Sequence, residues 1–230
     1  METSVFFQAI QALVAAMAFL KVKTNPVAMS KEKARLEHVL VQYQVFTRYV
    51  ALMLNYALQT AMRRGWQGVA AELARNIGQE LGSDSAGVAH HILLAKAWRA
   101  EFGFDAPWQR ASPATERFLA RMMKELRSQN ALRTVGAAYA LEDTAVPELK
   151  VMLHLVRYLA RGRPLATETI WFFNLHLKVW EPSHEAELRQ AATPLLKSKR
   201  DRAAFQRGFV RVMAIMDEWW LALAEEAASQ

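Results

Sequence analysis

The chain has 230 residues, 53% of them apolar, and a formal charge of +7. It contains no cysteine, which excludes disulfides, thiolate catalysis, iron–sulfur clusters and cysteine zinc sites. This length and apolar content suit one domain with a large core, so residues 1–230 are read as a single unit, in a chain suited to the cytoplasm.

Val5 to Leu20 is strongly apolar, but the leader Met1-Glu2-Thr3-Ser4 is acidic, and Gln8 and Gln11 interrupt the run. A signal peptide would open with basic residues, and a membrane span would be longer. The stretch is therefore expected to be a buried first helix. Ser30 reads as the N-cap of a long helix from Lys31 to about Arg64, with an apolar stripe through Tyr43, Phe46, Val50, Met53, Leu54 and Ala57. A third helix runs from about Gln67 to Leu81 and breaks at Gly82-Ser83-Asp84-Ser85. Ser85 is expected to cap a helix from Ala86 to Phe102, stopped by Gly103. Pro107 to Pro113 is a loop. Ser112 or Thr115 then opens a helix that reaches Glu142 and is checked by Pro147. Further helices cover Glu148–Arg161, Ala166 to about Thr193, and about Lys199 to Ala228. The one dense basic run, Lys197-Ser198-Lys199-Arg200-Asp201-Arg202, reads as a solvated connection rather than a nucleic-acid patch. No segment alternates as strands do. The expected architecture is an all-α bundle of seven or eight helices, with sites between facing helices.

Three stretches carry residues suited to chemistry. The first is His176-Leu-Lys-Val-Trp-Glu181-Pro-Ser-His184. On a regular helix Glu181 lies about 140° and His184 about 80° from His176, too wide for one site. If one residue is looped out before Pro182, as in a π-bulge, they move to about 40° and −20° and share a face. Pro182 favours this, because it has no N–H for the carbonyl of Lys178. A regular helix would instead bring up Glu187. The second stretch is Glu80 with His90-His91. His91 leads an apolar stripe through Leu94, Ala95, Trp98 and Phe102 and is expected to point inward, with His90 turned away. The third is Glu142, on a core-facing stripe with Val135, Ala138 and Tyr139. A buried carboxylate needs a partner, and a bridging role between metal ions would supply one.

Together these pieces resemble the heme-oxygenase-like diiron oxidases and oxygenases, which share the TenA/PqqC-type helical fold. Asn76-x-x-x-Glu80-x-Gly82, His91-x-x-Leu94 with Trp98 and Gly103, and Tyr139-x-x-Glu142 before Pro147 match that family's motifs. His176…Glu181-x-x-His184 matches the last motif with one extra residue, and with Glu where the family has Asp. The resemblance covers the chain from about Gln42 onward and implies the ligand set Glu80, His91, Glu142, His176, Glu181 and His184. It also implies two iron ions, or manganese, and O2 as co-substrate. Glu142 and Tyr139 are the expected catalytic residues, the first bridging the metals and the second lining the pocket with Tyr43. The leading expectation is N-oxygenation of a small nitrogen-containing metabolite in a biosynthetic pathway. The alternatives are C–C cleavage or desaturation of an amino acid or fatty acid, or a metal-free TenA-like enzyme. Arg48, Arg133 and Arg157 are candidate carboxylate binders, although solvation is the simpler reading. The partners implied are a small-molecule substrate, an external electron donor and a second copy of the chain, with neither nucleic acid nor membrane.

Overall fold

The computed structural model describes residues 3–27, 33–103 and 109–228, and the regular elements among them are all helical. In order these are α1 (Thr3–Ala16), α2 (Lys33–Thr47), α3 (Val50–Arg63), α4 (Gln67–Glu80), α5 (His90–Phe102), α6 (Pro113–Leu126), α7 (Ala131–Ala160), α8 (Thr167–Leu175), a π turn (His176–Trp180), α9 (Glu181–Ala192) and α10 (Lys199–Ala228), with short 3-10 turns at Ala18–Leu20 and Thr193–Leu195. No helix among the described residues is long and apolar enough to cross a membrane. The N-cap expected at Ser30 lies outside the described residues.

The elements follow local rules at their ends. The Ser112 hydroxyl accepts from the Thr115 N–H at 3.3 Å ahead of Pro113, and the Asn130 side chain accepts from the Arg133 N–H at 3.1 Å. Gly103 closes α5 with φ 78°, a left-handed turn that costs glycine nothing. α1 buries Phe6, Phe7, Ile10 and Val14, at helical spacing.

Four boundaries differ from the sequence reading. The stripe expected to run unbroken to Arg64 divides at Arg48-Tyr49 into α2 and α3. The helix expected to run from Ser112 to Glu142 divides at Arg127–Asn130, where Asn130 caps a new start. α5 begins at His90 rather than Ala86, because Gly82, Ala86 and Gly87 all take positive φ and carry the chain through turns. Pro147 does not stop α7. It removes one ladder bond, a cost of about 3 kcal/mol, but Thr144, Glu148, Leu149 and Val151 around it are buried, and that packing holds the helix together.

α7 and α10 run side by side in the same direction, as shown by the contacts of Gly136 with Phe205, Thr144 with Met216 and Glu148 with Trp220. Their crossing brings backbone onto backbone. A Cβ on Gly208 would overlap the carbonyl oxygen of Arg133, and one on Gly136 that of Phe205. Below the crossing α7 is clad by α9 and α3, α4 packs on those two, and α5 packs on α8. The cavity lies between these helices.

Candidate metal centre

The π turn sets the geometry. The Glu181 N–H bonds the carbonyl of His176, five residues back, so one residue is wound into the helix without advancing its face. His176, Glu181 and His184 are consequently all buried on one side. Glu187, which a regular helix would have brought up, is half-exposed and pairs with Arg75.

Across from this face, the end of α4 presents Glu80, and the turn after it leads to His90. Ligand atoms of Glu80, Glu181 and His184 all lie within 4.8 Å of one another. The Nδ1 of His184 is 3.5 Å from Glu142 and 3.7 Å from Glu181. Its Nε2–H donates to the Gln79 side chain at 2.8 Å, which fixes the ring and leaves Nδ1 facing the carboxylates. Burial works against a charge on His184, yet hydrogen bonds to Glu142 and Glu181 raise its pKa to about 10. A proton on His184 thus sits where carboxylates from two helices converge. Burial raises Glu181, and His184 offsets only part of that.

His176 is the opposite case. Its Nδ1–H donates to the Phe172 carbonyl at 2.9 Å, so Nε2 keeps a lone pair. Burial pushes its pKa down to about 3, so the ring is neutral, the form a metal ligand requires. His176 lines the cavity with Glu80, His90, Glu142 and Glu181. Asn76 donates to Glu142 at 3.3 Å, and its own side-chain oxygen is buried without a partner.

Two expected residues stand elsewhere. His91 does not point inward. It lines a separate outer cleft with Arg48, Tyr49 and Gln109, and burial together with Arg48 holds its pKa down. His90 takes the inward position, with Nδ1 3.3 Å from Glu80 and Nε2 3.2 Å from Asp84. Burial opposes charge on His90, but these two carboxylates win and raise its pKa. Burial also raises Glu80, but the hydrogen bond from His90 more than reverses it. The inward choice follows from the buried stripe of α5, which runs through His90, Leu94, Ala97, Trp98 and Glu101. Glu101 pairs with Arg163 and accepts from the Ala166 N–H at 2.8 Å, which turns the helix one residue from the expected face.

Tyr139, expected in the pocket, faces away from it. Its hydroxyl donates to Glu185, and its ring packs on Phe7, Phe205 and Phe209. Tyr43 does line the cavity. None of the three arginines considered as carboxylate binders does. Arg48 donates to the Gln109 carbonyl at 2.6 Å, Arg133 pairs with Glu125, and Arg157 is exposed. The sequence reading missed Glu148, which is 1% exposed and lines the cavity. It accepts from the Trp220 indole N–H at 3.2 Å, and burial raises its pKa to about 8. Residues Leu141, Ala145, Glu148 and Leu149 form one stripe that continues through Pro147, and that was the available signal.

The cavity itself is small, about 60 Å³. It gathers four carboxylates, Glu80, Glu142, Glu148 and Glu181, and no lysine or arginine among its described lining residues. Glu80 pairs with His90, and the buried Glu142 and Glu181 with His184; with His176 they make a donor set of oxygens and nitrogens that suits iron or manganese. With Glu80, Glu181 and His184 gathered, the orphaned Asn76 oxygen and the ready lone pair of His176, the residues fit a bound divalent cation.

A family model described as a domain of unknown function with a solved structure (DUF3865) matches residues 4–226. The crystal structure of a CADD-like protein of unknown function from Nostoc punctiforme is 30% identical, with TM-score 0.92 and 98% of each chain covered. A domain of unknown function with a heme oxygenase-like fold from Shewanella denitrificans superposes with TM-score 0.69 at 14% identity, covering 98% of this chain and 93% of that one. A TenA homolog from Pseudomonas syringae superposes with TM-score 0.64 at 15% identity, covering 97% and 91%. The last two show the heme-oxygenase-like fold. No curated protein matches the chain.

Proposed function

The chain belongs to the DUF3865 family, and from that premise we propose that it is a non-heme dimetal oxidase that uses O2 on a small nitrogen-containing substrate. The observation that carries this is the π turn, which turns Glu181 and His184 toward Glu80 so that their ligand atoms lie within 4.8 Å of one another. Glu80, His90, Glu142, His176, Glu181 and His184 would hold two iron or manganese ions, with His90 replacing the expected His91. The bound metals would supply the activation and reduction of O2. Glu142, reached by both Asn76 and His184, is the carboxylate suited to bridge them. Gln79 and Asp84 orient His184 and His90 from behind.

The rest of the cavity supports an amine over an acid as substrate. Tyr43, Phe46, Leu149 and Phe172 provide apolar walls. Glu148 provides a carboxyl that is largely protonated at neutral pH and gives up its proton when an ammonium group arrives beside it. A substrate carboxylate would meet no lysine or arginine among the described lining residues. N-oxygenation of such an amine is the reaction proposed.

Anaerobic titration of the folded, metal-free protein with Fe(II) tests the core of this reading. It should bind about two ions per chain and raise the melting temperature, as any ligand specific to the native state does. Exposure to O2 should then give a transient visible absorption. Folded protein that takes up no iron and melts unchanged would refute the proposal.

A further inference from the structure

A second feature lies in the same stretch, on its aromatic residues. Trp171 on α8 is 44% exposed, between Ile170 and Val179, which are also exposed. Its ring meets that of Trp180 edge to face, with centroids 6.2 Å apart. Trp180, at the end of the π turn, is 7% exposed and lies flat on His90, with centroids 4.3 Å apart and planes 13° from parallel. His90 is 3.3 Å from Glu80 and meets the ring of His176 at 4.8 Å. An unbroken line of π systems therefore connects solvent to the residues that face the cavity. Burial of apolar surface accounts for Trp180. Trp171, at the outer end of the line, is open to a donor in solution.

We propose that Trp171 and Trp180 form a one-electron relay into the site, and this rests on the reading of the site as a dimetal oxidase. Two physical points lead to it. Electron tunnelling weakens exponentially with distance, and these rings are in or near van der Waals contact. Indole is also among the side chains most readily oxidised by one electron. The cavity, at about 60 Å³, holds only a few waters, so a bulky donor cannot enter and its electrons must cross the wall. In each turn of the relay Trp180 gives one electron to the oxidised site and becomes an indole radical cation. It regains that electron from Trp171, which is restored by a soluble one-electron carrier in its reduced form. No bond breaks, and neither indole has to lose its N–H proton.

Two measurements test the relay. In the first, metal-free protein is photo-oxidised with ruthenium(III) tris-bipyridine, which is too large for the cavity, and the oxidised residues are mapped by mass spectrometry. Trp180 should be marked in the wild-type protein despite its burial, and the mark should be lost in Trp171→Phe. Because Trp171 is exposed, that variant should melt like the parent. In the second, protein loaded with ferrous iron is oxidised by O2 in the presence of a bulky one-electron donor, and reduction of the O2-oxidised site, which can take an electron from indole where resting ferric iron cannot, is followed by its visible absorption. Trp171→Phe and Trp180→Phe should each slow reduction by about tenfold or more, with iron content unchanged and Trp66→Phe as the unaffected control. Equal marking of Trp180 in the parent and Trp171→Phe, or equal reduction rates, would overturn the proposal. If the protein binds no iron, the dimetal reading falls, while the metal-free measurement still reads the step between the two indoles.

Discussion

Two successive stretches of α7 are built differently. From Ala131 to Leu141 the helix is pressed against α10 so closely that Gly136 and Gly208 leave no room for a methyl group. From Glu142 to Glu148 it is lined with acids and an interior proline, and it faces a cavity. The first holds the fold through contacts that need no chemistry. The second carries buried acids, Glu142 held by Asn76 and His184 and Glu148 by Trp220, at the wall of the cavity. Close backbone packing dominates the first stretch and the cavity-lining acids the second, so substitutions in the two should have different signatures.

The largest effect should come from the seam. In Gly208→Ala the new Cβ meets the Arg133 carbonyl and the Ala137 N–H, both backbone groups that cannot rotate away. The expected loss is about 3 kcal/mol or more, or about 6–12 °C in melting temperature for a chain of this size, with no selective effect on iron binding in protein that still folds. A Gly208→Ala protein that melts like its parent would break the distinction.

The next effect should fall on metal binding. One alanine inserted after Lys178 rotates Glu181 and His184 by about 100° away from His176. Iron uptake should fall sharply while the seam, and most of the melting temperature, survives. Deleting the exposed Val179 should do the reverse. It removes the looped-out residue, returns the segment to a regular helix and leaves the three side chains aligned, so iron binding should persist.

A smaller effect concerns Glu148. Its folded pKa, about 8, lies above the ordinary glutamate value of about 4.3. The folded state therefore holds a proton that the unfolded chain has already lost between these values. The stability this group contributes is complete below about pH 4.3 and is lost as pH rises toward 8. Metal-free Glu148→Gln should melt several degrees above the parent at pH 8 and at the same temperature near pH 4. A pH-independent difference would mean that Glu148 is already ionised in the fold.

The smallest effect belongs to Glu187. Its pair with Arg75 is part-exposed and lies outside the cavity, so Glu187→Gln should change stability by about 1 kcal/mol or less and leave iron binding intact. Loss of iron in this variant would return the late carboxylate to the regular-helix alternative.

Parts of the site were legible in the chain. Pro182 and the spacing of His176, Glu181 and His184 were enough to expect an extra residue in the helix, because only that brings the three onto one face. Glu142 was legible as an acid on an apolar stripe. The choice between His90 and His91 was not. Leu94, Ala95 and Trp98 are compatible with either, and the decision was made by Asp84, Glu80 and the buried Glu101, none of which marks a helix face by itself. Glu148 was hidden because Pro147 reads locally as a stop, whereas burial on both sides of it carries α7 through.

What the sequence determined by itself was the class of structure and most of the inward-facing acids and imidazoles, since helical period, caps and a misplaced proline act within a few residues of one another. What only the tertiary structure decided was which adjacent histidine turns inward, that Tyr139 bonds Glu185 outside the cavity, and that Glu148 and two tryptophans from different turns meet the site. Those outcomes depend on partners as many as 90 residues apart, Trp180 and His90 among them. Local sequence carries no record of such a partner until the chain has packed.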